Sequence, residues 1–321
     1  MTPEAWTDGL SPAAVLLLAM LAELLVALPP LRSSRSIHPL AVVGRAGAEL
    51  ARRLDRARRG EGTRIVRGAL LVVVFAGAAG LAGWGLQIWT RGQPLGWLAE
   101  AAVLALAIEL RGTVARAGVV ARALGRPRVA AELLADHFSR DTDKNDSHAV
   151  ARTTIEAAAA RFASRAVGPA FWYLALGLPG LLVHAVADAV SAEIGRGARE
   201  ARSVAFGLAV HRFAEAFNAI PTRLATPFLV LAALATPEAS AGRAISTVVQ
   251  DRGNYPGVND GWPVGAIAGA LDLALGPPTN WLNGDGRARA GAGDLRRARY
   301  LVAVAGLMLA APIAAVAAYL I

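Results

Sequence analysis

Apolar runs of membrane-spanning length alternate along this chain with short, arginine-rich intervals. The first run covers residues 12–31, and Ser11 followed by Pro12 is a good helix start, a capping side chain and then a proline in the first turn. Runs at 66–89 and 95–110 are separated only by residues 90–94, which predicts a helical hairpin with Trp84, Trp89 and Trp97 gathered at its tip. A last run, 301–321, is also long enough to span. The middle is more broken. Residues 166–190 are apolar but interrupted by Gly177-Leu178-Pro179-Gly180, and the apolar part of 219–236 is short, so both read as re-entrant or spanning segments. The fold class expected is all-α, a single polytopic membrane domain over 1–321 with about four to six spans and re-entrant or buried middle segments. The four-span and six-span versions place residues 188–223 on opposite sides of the bilayer.

Composition agrees with that pattern. Of 321 residues, 55% are hydrophobic and 18% charged, where a soluble domain carries about a quarter. There is no cysteine, which excludes disulfides, thiolate nucleophiles and Cys-ligated metals. The net charge of +9 is carried almost wholly by arginine, Lys144 being the single lysine. Beside apolar spans this charge reads through the positive-inside rule and not as a nucleic-acid footprint. Ten arginines between residues 32 and 67 make that interval cytoplasmic, and Arg296, Arg297 and Arg299 do the same for the entry to the last run. A signal peptide is the competing reading of the first run, but the residues before it carry Glu4 and Asp8 and no Lys or Arg. Glu23 lies inside that run, and an intramembrane acid is expected to face a bundle interior and find a partner.

Three polar clusters carry candidate chemistry. Arg140, Asp141 and Thr142 interrupt a helical pattern; alone they read as a solvated loop. Arg212, Glu215 and Asn218 project from one helical face ahead of Pro221 and Arg223. That face is open to two readings, an intrahelical salt bridge or a phosphate and metal site, since carboxylate and carboxamide suit Mg²⁺ and guanidinium suits phosphate. Residues 254–263, including Asn259, Gly261, Trp262 and Pro263, are turn chemistry ahead of a small-residue helix and can present backbone N–H groups to an anion. The histidines at 38, 137, 148, 184 and 211 show no ligand spacing, and no P-loop or dinucleotide fingerprint is present.

Taken together, these pieces resemble the CobD/CbiB family of membrane adenosylcobinamide-phosphate synthases, in order and over nearly the whole chain. His38-Pro39 with Val43-Gly44, Arg140-Asp141-Thr142, Ile155-Glu156, Phe171-Trp172, Gly177 with Pro179-Gly180, Asn218-Ala219-Ile220-Pro221 with Arg223-Leu224, and Asn259-Asp260-Gly261-Trp262-Pro263 are similar to successive motifs of that family. The resemblance implies cobalamin biosynthesis, with ATP and Mg²⁺ driving amide formation between adenosylcobyric acid, a corrinoid, and the small amino alcohol aminopropanol or its phosphate. It implies a multi-pass protein of the bacterial inner membrane, in contact with the lipid bilayer, not nucleic acid, and able to associate with other corrin-assembly membrane enzymes. On this reading Arg140, Asp141, Glu156 and Glu215 are catalytic. Arg212, Asn218, Arg223, Asn259, Gly261, Trp262 and Pro263 bind substrate or phosphate, and Asp141, Glu156, Asp188 and Glu215 hold the metal. The chain departs from the family pattern at Ala160-Arg161, Ser164-Arg165, Asp188-Ala189-Val190-Ser191 and Ala214-Glu215, where acids or amides are usual. Those departures support an alternative, a non-catalytic accessory or sensory relative of the AmpE kind. A transporter is disfavoured because inverted repeats are lacking.

Overall fold

The computed structural model describes residues 10–26, 39–55, 60–197 and 204–319. The end of the first apolar run beyond Val26, the stretch before Leu10, His38, and the arginines at 32, 35, 56, 58 and 59 lie outside the described residues. The described residues form twelve α-helices and no named strand: α1 (Pro12–Leu25), α2 (Pro39–Leu54), α3 (Glu61–Arg91), α4 (Gly96–Ala107), α5 (Leu110–Ala123), α6 (Pro127–Phe138), α7 (Ser147–Phe162), α8 (Gly168–Gly197), α9 (Val204–Leu234), α10 (Ala241–Asp251), α11 (Gly261–Leu271) and α12 (Ala292–Tyr319). Caps begin several of them as the sequence requires. Ser11 Oγ accepts from Ala14 N at 3.3 Å ahead of Pro12, and Asp146 Oδ1 accepts from His148 N at 2.8 Å at the start of α7.

Four stretches among the described residues are helical, long and apolar enough to cross a bilayer: α3, the run from α7 through α8, α9 and α12. α3 makes the case most directly. Val66, Leu70, Val73, Val74, Leu81, Trp84, Ile88 and Trp89 are all exposed on it, an apolar surface far too long for water and matched to lipid. The run at 95–110 forms the shorter α4, because the helix breaks at Ile108 and Glu109 before α5 begins. Glu23 on α1 closes that break: its carboxylate accepts from Arg111 N at 2.9 Å and from Gly112 N at 3.3 Å, capping α5 across space. The buried acid thus satisfies backbone donors at the start of α5.

α8 is not one rod. Arg165, just before it, forms an ion pair with Asp188 near its far end. A straight helix would hold those two residues about 34 Å apart, so the chain doubles back. The reversal is at Gly177, with φ 70° and ψ −154°, a conformation that L side chains avoid. Leu178 N, freed by the turn, donates to Gln87 Oε1 of α3 at 2.8 Å. α3 then runs beside the returning arm, with Gly83 against Leu178 and Pro179, and Gly80 near Val183. Small residues of α2 seat the end of that arm: Gly44 lies against Ala189 and Glu193, and Gly47 against Val190. Gly177→Ala is therefore expected to destabilise the fold by about 1–3 kcal/mol, since the new Cβ would also collide with the Gln87 carboxamide. A thermal midpoint in detergent unchanged by this substitution would contradict the reversal.

Candidate functional site

A cavity of about 460 Å³ opens where the sequence-distant clusters meet. Its wall takes Arg140 from the loop after α6, Arg161 and Arg165 from α7 and the turn that follows, Asp188 and Ser191 from the returning arm of α8, His211, Glu215 and Asn218 from α9, and Asn259 and Asp260 from the loop before α11. Each element presents its residue for a local reason. α6 ends in a left-handed Ser139 (φ 56°), which turns the chain so that Arg140 enters the wall. Between α7 and α8 the backbone widens into a π-helical turn, Ala163–Val167, which puts Ser164 and Arg165 on the cavity side. Gly261 packs on the Arg252 carbonyl so closely that no side chain would fit, and this fixes the loop carrying Asn259 and Asp260.

The polar groups of the wall are mostly held in pairs. Arg140 Nη2 donates to Asp260 Oδ2 at 2.9 Å. Arg165 pairs with Asp188, and Arg161 lies 3.7 Å from Glu109, which also pairs with Arg116 in the protein interior. Glu215 Oε2 accepts from Arg212 at 3.1 Å, while the Glu215 backbone carbonyl accepts from Asn259 Nδ2 at 2.7 Å. Asn218 is engaged by His184 Nε2 at 3.1 Å and donates to Ala214 O. Ser191 Oγ and His211 Nδ1 are 2.7 Å apart.

Arg140, Asp188, Glu215, Asn218 and Asn259, all expected from the sequence, are thus brought together. The others fall around the cavity. Asp141 is exposed beside it. Arg212 is exposed on the outer side of its pair with Glu215. Arg223 donates to Asn259 Oδ1 at 3.3 Å and stacks over Trp262, whose indole is also covered by Arg252, so Arg223, Gly261, Trp262 and Pro263 brace the loop from outside. Glu156 is buried behind the wall, accepting from Tyr255 Oη at 3.0 Å and from Gly276 N at 2.8 Å. Burial first, and the Glu156 charge second, push the Tyr255 phenol above its ordinary range, so it serves that bond as a donor. Glu156 ties α7 to the C-terminal loops.

The acids expected to hold Mg²⁺ do not converge. Among the described residues, no three of His, Asp and Glu come close enough to hold a metal ion. Glu156 spends its oxygens on protein donors, and Asp188 and Glu215 face guanidinium groups. This donor set does not fit a resident divalent ion. Sequence reasoning passed over His211, took Asp260 only as part of the 254–263 turn, and noted Ser191, Arg161 and Arg165 only as departures from the family pattern. The signal for the last two was available, as a pair of arginines four apart in an alanine-rich helix.

The cavity's position is fixed by its neighbours. The end of α8 that lines it is seated on α2, and nearby the start of α3 meets the start of α9 where Gly68 approaches the Phe206 carbonyl. Both α2 and the start of α3 belong to the arginine-rich interval 32–67.

The family model described as CobD/Cbib protein matches residues 16–305. Proteins named cobalamin biosynthesis protein CobD are similar over most of the chain. One from a Sinorhizobium species is 30% identical, covering 88% of this chain and 90% of its own length. The Rhodobacter capsulatus protein is 30% identical over 95% and 98%. The Mycobacterium tuberculosis protein is 33% identical over 81% and 83%. No solved structure matches the chain.

Proposed function

Given that the chain belongs to the CobD/CbiB family, we propose that it serves cobalamin biosynthesis as an adenosylcobinamide-phosphate synthase of the bacterial inner membrane. It would join adenosylcobyric acid to aminopropanol or its phosphate at the expense of ATP. The observation that carries this reading is the single cavity uniting Arg140, Asp188, Glu215, Asn218 and Asn259 on the arginine-rich side of the protein. A carboxylate is a poor acylating agent until one of its oxygens is phosphorylated. Transfer of the terminal phosphoryl group from ATP to that oxygen gives an acyl phosphate and ADP. The amine nitrogen then attacks the acyl carbon, the C–N bond forms, and the C–O bond to phosphate breaks. The chain's part is to bind, align and neutralise, and the guanidinium groups at the wall suit phosphoryl oxygens geometrically. The cavity volume is that of a small-molecule site.

A second reading, a non-catalytic membrane relative with a degenerate site, is favoured by one observation, the lack of a three-acid cluster among the described residues. One assay separates the two. The purified protein in nanodiscs is incubated with adenosylcobyric acid, ATP, magnesium salt and either aminopropanol or its phosphate, and the corrinoid is followed by mass spectrometry. The expected result is an amide product with one of the two acceptors. Absence of product, beside another family member active in the same mixture, would transfer the weight to the accessory role.

A further inference from the structure

Amide formation needs a group to take a proton, because an alkylamine with a pKa near that of a lysine side chain is about 99.9% protonated at pH 7. Few groups of the wall can do so. Arg140, Arg161 and Arg165 carry fixed charge. Asp260 is held by Arg140, Asp188 by Arg165 and Glu215 by Arg212, so each of these carboxylates is already engaged with a guanidinium. His211 is different. Its ring lines the cavity, and its Nδ1 lies 2.7 Å from Ser191 Oγ.

We propose that His211 is the proton acceptor for the attacking amine and that Ser191 positions it, an inference that rests on the amide-forming reading above. When Nδ1–H donates to Ser191 Oγ, Nε2 carries the free lone pair, the tautomer a base requires. Two glycines, Gly195 of the cavity wall and Gly207 one turn before the histidine, lie beside the ring. A Cβ at Gly207 would stand 3.3 Å from Nε2, and one at Gly195 would stand 3.5 Å from Cε1. Arg165 and Asp188 line the same cavity, and Glu215, the charged group that acts on the ring, lies one turn further along the same helix. The proton balance is complete. Of the three ammonium protons, one remains on the amide nitrogen, one leaves with phosphate as the hydrogen phosphate dianion, and one passes to His211 Nε2 and then to solvent.

The test compares two acceptors in the full-length protein in nanodiscs, aminopropanol and hydroxylamine. Hydroxylamine is largely uncharged at neutral pH and needs no base to attack an acyl phosphate. His211→Gln is expected to slow amide formation about a hundredfold while hydroxamate still forms at the parent's rate, which also shows that the variant is folded. Ser191→Ala is expected to show a smaller loss confined to the alkylamine, and Ser191→Thr, which keeps the hydroxyl, to restore it. Equal loss with both acceptors, or an unchanged amide rate in His211→Gln, would overturn the proposal. A parent protein that makes neither product would reject the amide-forming reading itself and this proposal with it.

Discussion

Replacing Glu109 by alanine is expected to cost about 3–5 kcal/mol of stability, the range for breaking a buried ion pair from one side. The side chain is 4% exposed and sits between Arg116 at 7% and Arg161 at 8%. Its backbone is at the break between α4 and α5, with its N–H donating to Arg165 O at 2.8 Å. Removing the carboxylate would leave the Arg116 and Arg161 guanidinium groups, both largely buried, without the counter-charge they share. Arg116→Met should cost much less, because Glu109 then remains paired with Arg161 at 3.7 Å. Thermal midpoints of the two variants in the same detergent give the ranking without assuming two-state unfolding. A Glu109→Ala protein at least as stable as Arg116→Met would show that this network is not what holds α5 to α7.

The same network explains what the sequence could not disclose. Periodicity and composition make the helical membrane class legible, and the Gly177-Leu178-Pro179-Gly180 interruption marks a break whose sense, a reversal, depends on Arg165 meeting Asp188. The break at Ile108 and Glu109 has no such marker. It is stabilised by Glu23, far away in sequence, and in the chain it looks like the polar end of an apolar run. The site divides along the same line. Arg140, Glu215, Asn218 and Asn259 belong to local motifs and were readable as candidates. Arg161, Arg165, Ser191 and His211 acquire meaning only from partners on other helices. Glu156 shows the converse: a motif residue whose carboxylate is committed to Tyr255 and Gly276, behind the cavity and not in it.

Arg140→Ala is expected to lower amide-forming turnover about a hundred- to a thousandfold, the usual effect of deleting one donor aimed at developing charge. Arg140 is 39% exposed, at the cavity wall, so its removal leaves space and not a buried unpaired acid, and the loss should appear in turnover with little change in thermal midpoint. Asp260 fixes the guanidinium by accepting from Nη2 at 2.9 Å, which joins the loop after α6 to the loop before α11. Asp260→Asn should therefore be milder than Arg140→Ala, since the cation survives but is less well aimed. Arg140→Lys should recover little, because a point charge cannot reproduce the planar fork. Arg212→Ala gives the contrast. Its side chain is 66% exposed outside the wall, and an exposed pair worth ~1 kcal/mol at most limits the effect to about fivefold. Steady-state rates with the amine acceptor saturating would rank the four variants. If Arg140→Ala stayed within the range of Arg212→Ala, the phosphoryl group would have to be held elsewhere in the cavity, with Arg161 and Arg165 the next arginines of the wall to test.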